Sequence, residues 1–181
     1  MNNKNIKVAI LATDGFEQVE LTEPKKALQE AGFTVEVVSP KEGKIKAWDK
    51  TDWGTEVQVD KTLQEANVDE YDGLVLPGGQ INPDKLRTFP EAVEFVKNFH
   101  TQGKTIAAIC HGPWLLIEAG IVSGKNLTSY HSIQTDVRNA GGNWSDQELV
   151  IDGNLITSRN PGDIPVFNNA VIEAFTEVVK A

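Results

Sequence analysis

Short apolar, β-branched runs alternate with helical patterns along most of this chain, and that alternation restricts the fold more than any other feature. The runs that read as strands span residues 6–12, 33–39, 72–77 and 104–109, and each is apolar enough to be buried on both faces. Strands that alternate with helices form parallel sheets with helices packed against them. The sequence therefore predicts an α/β fold with a mostly parallel sheet.

The remaining patterns predict helices and two hairpins, with no repeat or linker between them. Helices are expected over residues 17–31, 83–101, 113–120, 132–142 and 164–180, and hairpins over residues 44–60 and 148–158. A chain of 181 residues can bury one sizeable core, so we expect one domain over residues 1–181.

The composition argues against several classes of partner. A formal net charge of −9 with no cluster of lysine and arginine disfavours nucleic acid, whose phosphates such a surface would repel. No window approaches the length of apolar chain that spans a bilayer, and the start of the sequence fits a first strand better than a signal peptide. A single cysteine cannot form an internal disulfide, so we expect a cytoplasmic protein that binds neither nucleic acid nor membrane.

Metal and cofactor sites lack their usual residue spacings. The histidines at 100, 111 and 131 follow neither H-x-x-x-H nor any cysteine-containing metal pattern. The turn PGG at 77–79 lacks the lysine and hydroxyl residue of a P-loop. We therefore predict no metal and no cofactor. His100 is expected to complement the end of a helix, and His131 to lie on the surface, although it could line a cleft.

The single cysteine lies where a strand should end and a helix should begin. Cys110 follows the run 104–109, with Ala108 two residues before it and Gly112 two residues after, close to the G-x-S-x-G spacing of a nucleophile elbow. A helix N-terminus lowers the pKa of a thiol and can receive an oxyanion, so we expect a thiol pKa of about 5 to 6. The alternative is a buried cysteine that serves as a small hydrophobe.

Four motifs together resemble the DJ-1/PfpI family, within it the PfpI-like intracellular proteases, stress proteins and deglycases. The resemblance covers essentially the whole chain, and its motifs are AAICHGPWLL, DGFEQVELTEP, LVLPGGQINPDKLR and LITSRNPGDIPVFNNAVIEAF. It implies a flavodoxin-like three-layer sandwich with a mostly parallel sheet and a nucleophile elbow, related to the class I glutamine amidotransferases.

The resemblance also assigns a carboxyl partner to the cysteine. Glu17 follows the first strand through the turn TDGF, and if that strand lies beside the Cys110 strand, both residues emerge at one edge of the sheet. A carboxylic acid that touches a thiolate is pushed toward its protonated form and donates a hydrogen bond. The alternative is that Glu17 only complements the start of a helix.

The other implied site residues are a histidine, an acid and backbone donors. His111 would be the general acid and base, and the N–H groups of Gly78, Gly79 and His111 would stabilise an oxyanion. In PfpI-like members a carboxylate of the neighbouring subunit completes a Cys-His-acid set, and the matching residue here is Asp84, which implies a homodimer or higher homo-oligomer. Asp84 is a shorter residue after a longer loop, so the alternative is a charge or cap at a helix start.

These residues favour a cofactor-independent cysteine enzyme that acts on reactive carbonyls. The resemblance implies glyoxalase-like or deglycase activity on methylglyoxal and its early protein adducts, with a small carbonyl, a glycated protein or a peptide as substrate. An intracellular cysteine peptidase is one alternative. A non-enzymatic redox-sensing or chaperone-type stress protein is another, with Cys110 as its oxidised group. A glutamine amidotransferase is disfavoured because no H-x-E pattern follows near the C-terminus.

Overall fold

A central parallel sheet organises the chain, which a computed structural model describes over residues 5–178. In chain order the strands are β1 (Lys7–Leu11), β2 (Thr34–Ser39), β3 (Lys44–Asp49), β4 (Asp52–Gln58), β5 (Lys61–Thr62), β6 (Gly73–Leu76), β7 (Thr105–Ile109), β8 (Asn126–Leu127), β9 (Asn143–Trp144), β10 (Val150–Asp152) and β11 (Leu155–Ser158). All four strands expected from buried apolar runs are present, as β1, β2, β6 and β7.

The strand order shows that the chain adds strands first on one side of β1 and then on the other. Across the described part of the chain, the central sheet runs β10-β11-β7-β6-β1-β2-β5, and every neighbouring pair is parallel except β10 with β11. The condition on which Glu17 was placed near Cys110, that β1 lies beside the Cys110 strand β7, is not met, because β6 lies between them. The chain builds outward from β1 to one side and then, from β6 onward, to the other. The carboxyl ends of β1, β6 and β7 nevertheless share one edge, where open α/β sheets bind ligands.

Helices cover both faces of this sheet. They are α1 (Gln18–Glu30), α2 (Ile81–Leu86), α3 (Pro90–Thr101), α4 (Pro113–Glu118), α5 (Gln134–Asn139) and α6 (Ile164–Val178). Helices α1 and α6 pack on one face, and α3 and α4 on the other. The side chains of β1 alternate between the two cores, with Ile10 on the α6 side and Leu11 on the α3 side, as the pleat of a strand requires. The three-layer α/β sandwich is therefore confirmed.

The helix expected over residues 83–101 is two helices. Helix α2 ends at Leu86, and α3 begins at Pro90. Phe89 is extended, with φ −96° and ψ 107°, because the ring of a following proline disfavours helical backbone at the residue before it. Residues 179 and 180 of the expected C-terminal helix lie outside the described residues, and none of the described helices is long and apolar enough to cross a membrane.

Both expected hairpins are present, and the first borders the carboxyl edge of the sheet. Strands β3 and β4 pair antiparallel, and the Trp48 N–H donates to the Phe16 carbonyl at 2.7 Å. This contact fastens the tip of the hairpin to the segment between β1 and α1. Strands β10 and β11 form the second hairpin, whose turn contains Gly153 at φ +60°.

Candidate active site

Cys110 adopts the backbone conformation of a nucleophile elbow. Its φ is +63°, a left-handed value that a residue with a side chain rarely adopts. Two long-range hydrogen bonds hold it there: the Cys110 N–H donates to the Ser158 carbonyl at 3.0 Å, and the Tyr130 N–H donates to the Cys110 carbonyl at 2.8 Å. Strained backbone of this kind persists where surrounding structure fixes it, and it concentrates at functional sites.

The thiol of Cys110 lies at a cavity of about 410 Å³ on the carboxyl edge of the sheet. The side chain is 6% exposed, so the thiol is buried rather than presented on an open turn. Trp48 and Lys50 of the first hairpin contribute to one wall. The groups nearest the chemistry come from four other segments and are Glu17, Glu20, Gly79, His111, Tyr130 and Ser132.

The carboxyl group beside the thiol belongs to Glu20, and the contact expected of Glu17 is therefore corrected. Glu20 is fully buried in the first turn of α1, where its Oε2 accepts the Gly78 N–H at 2.9 Å. Its carboxyl and the Cys110 thiol shift each other's pKa, and Oε1 has no hydrogen-bond partner among the described residues. Glu17 lines the same cavity, but its Oε1 accepts the Lys50 N–H at 3.4 Å.

A signal for Glu20 was present in the sequence. Glu20, Pro24 and Leu28 are four residues apart, which places them on one face of a helix, and all three are buried. A carboxylate in line with two apolar residues on the inward face of an amphipathic helix is a candidate functional acid. Glu17 precedes the helix as its N-cap residue, so it does not share that face.

Burial decides the ionisation of the pair. Loss of solvent raises the pKa of Glu20 to about 8, so this carboxyl is mostly protonated at neutral pH. Burial also raises the pKa of the Cys110 thiol, and a charged Glu20 would raise it further, while the N–H groups of Gly79 and His111 lower it. The expected thiol pKa of about 5 to 6 is therefore wrong in direction.

His111 is placed to take the proton of the thiol. Its Nδ1 lies 3.2 Å from the Cys110 sulfur, and its ring stacks on Tyr130 with centroids 4.8 Å apart. Burial lowers the pKa of His111 to about 4, with a smaller contribution from the charge of His131. The imidazole is therefore neutral at pH 7, and a neutral imidazole can act as a general base.

The expected oxyanion donors are reduced from three to two. The Gly78 N–H donates to Glu20 at 2.9 Å, whereas the N–H groups of Gly79 and His111 lower the pKa of the thiol, and that of Gly79 also lowers the pKa of Glu20. Gly79 has φ +76°, and a Cβ there would lie 2.5 Å from the Gly15 carbonyl oxygen and 2.6 Å from the Glu17 nitrogen. Only glycine lets this turn approach the start of α1 so closely.

Gly79→Ala is expected to lower kcat/KM by at least about 100-fold while the chain still folds. The added methyl must displace backbone, which moves the N–H away from the position of an oxyanion, and the loss of one such donor costs this much. Gly103→Ala is the matched control, because Gly103 also has positive φ but open space around its Cβ position. Kinetics and circular dichroism of both variants test this, and near-normal kcat/KM in Gly79→Ala would contradict it.

The other residues singled out in the sequence lie outside the cavity. Asp84 is 58% exposed on α2, and its Oδ1 accepts from the Arg87 side chain at 2.6 Å and 3.1 Å. Its expected action on a neighbouring subunit stays a prediction. His131 is exposed beside the Tyr130 ring, with centroids 4.4 Å apart, and His100 lies in the last turn of α3.

Comparisons with known proteins identify enzymes among the relatives of this chain. Deglycase PfpI of Pyrococcus furiosus is 44% identical over 159 residues, 88% of this chain and 93% of that protein. Protein/nucleic acid deglycase 2 of Escherichia coli is 41% identical over 167 residues, 92% of this chain and 95% of that protein.

The fold and the family model agree with these relatives. A two-domain crystal structure from Anabaena variabilis, with DJ-1/ThiJ/PfpI-like and ferritin-like domains, matches with a TM-score of 0.87 and 42% identity. The match covers 93% of this chain and 47% of that longer chain. The model of the DJ-1/PfpI family matches residues 6–174, which include the elbow and every wall of the cavity, and the chain therefore belongs to the DJ-1/PfpI family.

Proposed function

We propose that this chain is a cofactor-independent cysteine enzyme acting on reactive carbonyls, with glyoxalase- or deglycase-like activity on methylglyoxal and its early protein adducts. The observation that carries the proposal is the placement of the Cys110 sulfur 3.2 Å from the His111 ring nitrogen Nδ1 and beside the Glu20 carboxyl, at one cavity. A cavity of about 410 Å³ is of a size that takes small ligands. The deglycase names of relatives above 40% identity support the same substrate class.

The first step is addition of sulfur to the aldehyde carbon. The thiol proton passes to Nδ1 of His111, the sulfur lone pair forms the carbon–sulfur bond, and the carbonyl π pair moves to oxygen. The N–H groups of Gly79 and His111 stabilise that oxygen. It then takes the proton back from the imidazolium, which leaves a neutral hemithioacetal and a neutral His111.

The second step gives Glu20 its role. With a pKa of about 8, roughly a tenth of this carboxyl is ionised at pH 7, and the ionised form is a stronger base than an ordinary glutamate. It removes the proton on the aldehyde carbon and returns it to the neighbouring carbon through an enediol. The resulting thioester is hydrolysed by water to lactate and free thiol. Methylglyoxal plus water has the same composition as lactic acid, so no outside oxidant or reductant is needed.

Turnover of methylglyoxal without glutathione tests the proposal. The expected result is lactate formation equal to methylglyoxal loss, absent in Cys110→Ser. A second arm uses preformed adducts of methylglyoxal with N-acetyl-lysine and N-acetylcysteine, and compares the rate of adduct loss with the rate at which free methylglyoxal is removed. Adduct loss faster than spontaneous release of free aldehyde identifies a deglycase, and equal rates identify a glyoxalase.

The outcomes that overturn the proposal point to the alternatives. Cleavage of a peptide library without lactate formation would favour a peptidase, for which the Cys110–His111 contact would also serve. Suppression of aggregation without turnover of either substrate would favour a chaperone-type stress protein. The homodimer or higher oligomer and a cytoplasmic location stay predictions.

A further inference from the structure

The ring nitrogen of His111 that faces away from the thiol meets a hydroxyl group of the same chain. The Ser132 Oγ lies 3.3 Å from Nε2, on the opposite side of the ring from the Nδ1 that contacts Cys110. We propose that Ser132 is a positioning residue of His111, which accepts the N–H of Nε2 and so leaves Nδ1 free for the thiol proton. The inference rests on the proposed function only in that His111 must serve the Cys110 thiol.

Ser132 is fastened to the elbow by the backbone around it. The Tyr130 N–H donates to the Cys110 carbonyl at 2.8 Å, and the Ile133 N–H donates to the Tyr130 carbonyl at 3.2 Å. The side chain of Ile133, directly before α5, is buried and so anchors the turn in the core. Because these bonds tie the turn to the elbow, the Ser132 hydroxyl is held at the Nε2 edge of the imidazole.

Aromatic rings fix the plane of the imidazole. Tyr130 stacks on it at an interplanar angle of 25°, and Trp114 meets it edge-on with centroids 5.1 Å apart. Rotation of the ring in this slot would break both contacts. With the plane fixed, the hydroxyl of Ser132 completes the orientation, since it determines which nitrogen carries the proton.

A hydroxyl in this place selects the tautomer that the first step needs. A neutral imidazole has one N–H, and Ser132 Oγ can accept it from Nε2. The lone pair of Nδ1 is then free to accept the thiol proton. After that transfer the Nε2–H still donates to Ser132, so the bond persists through the step. Unlike a carboxylate, the hydroxyl adds no charge, which is consistent with a histidine pKa of about 4.

The own-chain carboxylate of Asp84 is separated from the ring. Arg87 binds that carboxylate, and its guanidinium carbon lies 4.5 Å from the Trp114 ring centre. The same Trp114 ring contacts the His111 ring, with centroids 5.1 Å apart.

Ser132→Ala, Ser132→Thr and the control Thr135→Ala test the proposal. Thr135 is an exposed hydroxyl residue three positions further along, in α5. Two measurements are made: the rate at which iodoacetamide alkylates Cys110 against pH, which needs no substrate, and kcat and KM for methylglyoxal. The charged and titratable groups around His111 are the same in all variants and are Glu17, Glu20, Lys50, Cys110, Tyr130 and His131.

We expect Ser132→Ala to lower kcat about tenfold or more with little change in KM, as loss of an orienting partner does. Its alkylation rate at pH 7 should fall in parallel, with the midpoint moved to higher pH. Ser132→Thr keeps the hydroxyl and should restore most of both rates. Thr135→Ala should match the unmodified protein.

Three results would overturn the proposal. The first is an unchanged kcat and alkylation profile in Ser132→Ala. The second is a loss that threonine does not restore, which would indicate packing alone. The third is a loss in Asp84→Asn but not in Ser132→Ala, which would assign the role to a second copy. If Ser132→Ala proves unfolded by circular dichroism, Ser132→Gly carries the same comparison. If the protein does not turn over methylglyoxal, the proposed function fails, but the alkylation rate of Cys110 still tests the role of Ser132 because it needs no substrate. The two proposals can therefore fail separately.

Discussion

Cys110→Ser should lower kcat/KM for methylglyoxal by on the order of 10³-fold or more, while the melting temperature changes by only a few degrees. A serine hydroxyl is a far weaker nucleophile than a thiol at neutral pH, and His111 alone does not make up the difference. The backbone bonds of residue 110 to Ser158 and Tyr130 do not involve the side chain and should survive. The fold is therefore expected to persist without the chemistry.

Three readouts on one preparation decide this prediction. Lactate formation measures turnover, thermal unfolding measures stability, and suppression of aggregation of a model client protein measures chaperone activity. A variant that keeps more than about a tenth of the unmodified rate would rule out Cys110 as the nucleophile, because loss of a covalent nucleophile costs far more. A variant that loses turnover and keeps chaperone activity would show that the second activity does not need the thiol.

The strands of the sheet could be predicted because each strand is encoded in its own run of residues. Their order could not, because it depends on which distant segments pair. The buried runs that became β1, β2, β6 and β7 carry their own periodicity and composition. Nothing within the β1 run states that β6 rather than β7 will lie beside it. The break between α2 and α3, in contrast, is local, because Pro90 disfavours helical backbone at the residue before it and is visible in the sequence.

The candidate site divides in the same way. Cys110 and His111 lie on one strand-to-helix turn, so a motif of a few residues identifies both. Glu17 and Glu20 differ in their position relative to the helix, and Glu17, the acid chosen from the sequence, was the wrong one for contact with sulfur. Ser132 reaches His111 only through the long-range bond between Tyr130 and Cys110, for which no local pattern exists.

The thiol pKa shows which of two opposing effects is larger. A helix N-terminus stabilises a nearby anion by roughly 0.3–1 kcal/mol, and α4 is only six residues long. Burial can shift a pKa by up to about 3–5 units, each worth roughly 1.4 kcal/mol. Cys110 is 6% exposed, so burial dominates. The expectation of a low pKa assumed an exposed turn, and exposure depends on the segments that close over the elbow.

Glu20→Gln should remove most of the turnover and, above neutral pH, make the folded chain more stable. Glutamine has the same shape, and its oxygen can still accept the Gly78 N–H, but it cannot remove a proton from carbon. Loss of a general base typically costs about 10²–10⁴-fold in rate. A simultaneous gain in stability is the expected signature of a buried acid kept for chemistry.

The direction of the stability effect follows from the two pKa values of the carboxyl. Folding raises the pKa of Glu20 from 4.5 to about 8. Between these values the folded chain holds a proton that the unfolded chain has released, so the free energy of unfolding falls as pH rises through this window. The full effect, reached above pH 8, is on the order of 5 kcal/mol. Glutamine does not titrate, so this loss should be absent from the variant.

Urea unfolding of the unmodified protein, Glu20→Gln and Glu23→Gln at pH 5 and pH 8.5 measures the effect. Glu23 lies exposed one turn further along α1, so its variant makes the same change in charge without the burial. We expect the stability advantage of Glu20→Gln to grow between the two pH values, while Glu23→Gln follows the unmodified protein. Equal pH dependence in all three proteins would mean that Glu20 is ionised in the folded chain at both pH values. The thiol would then face a fixed negative charge, and the protonated Glu20 inferred beside the sulfur would be wrong.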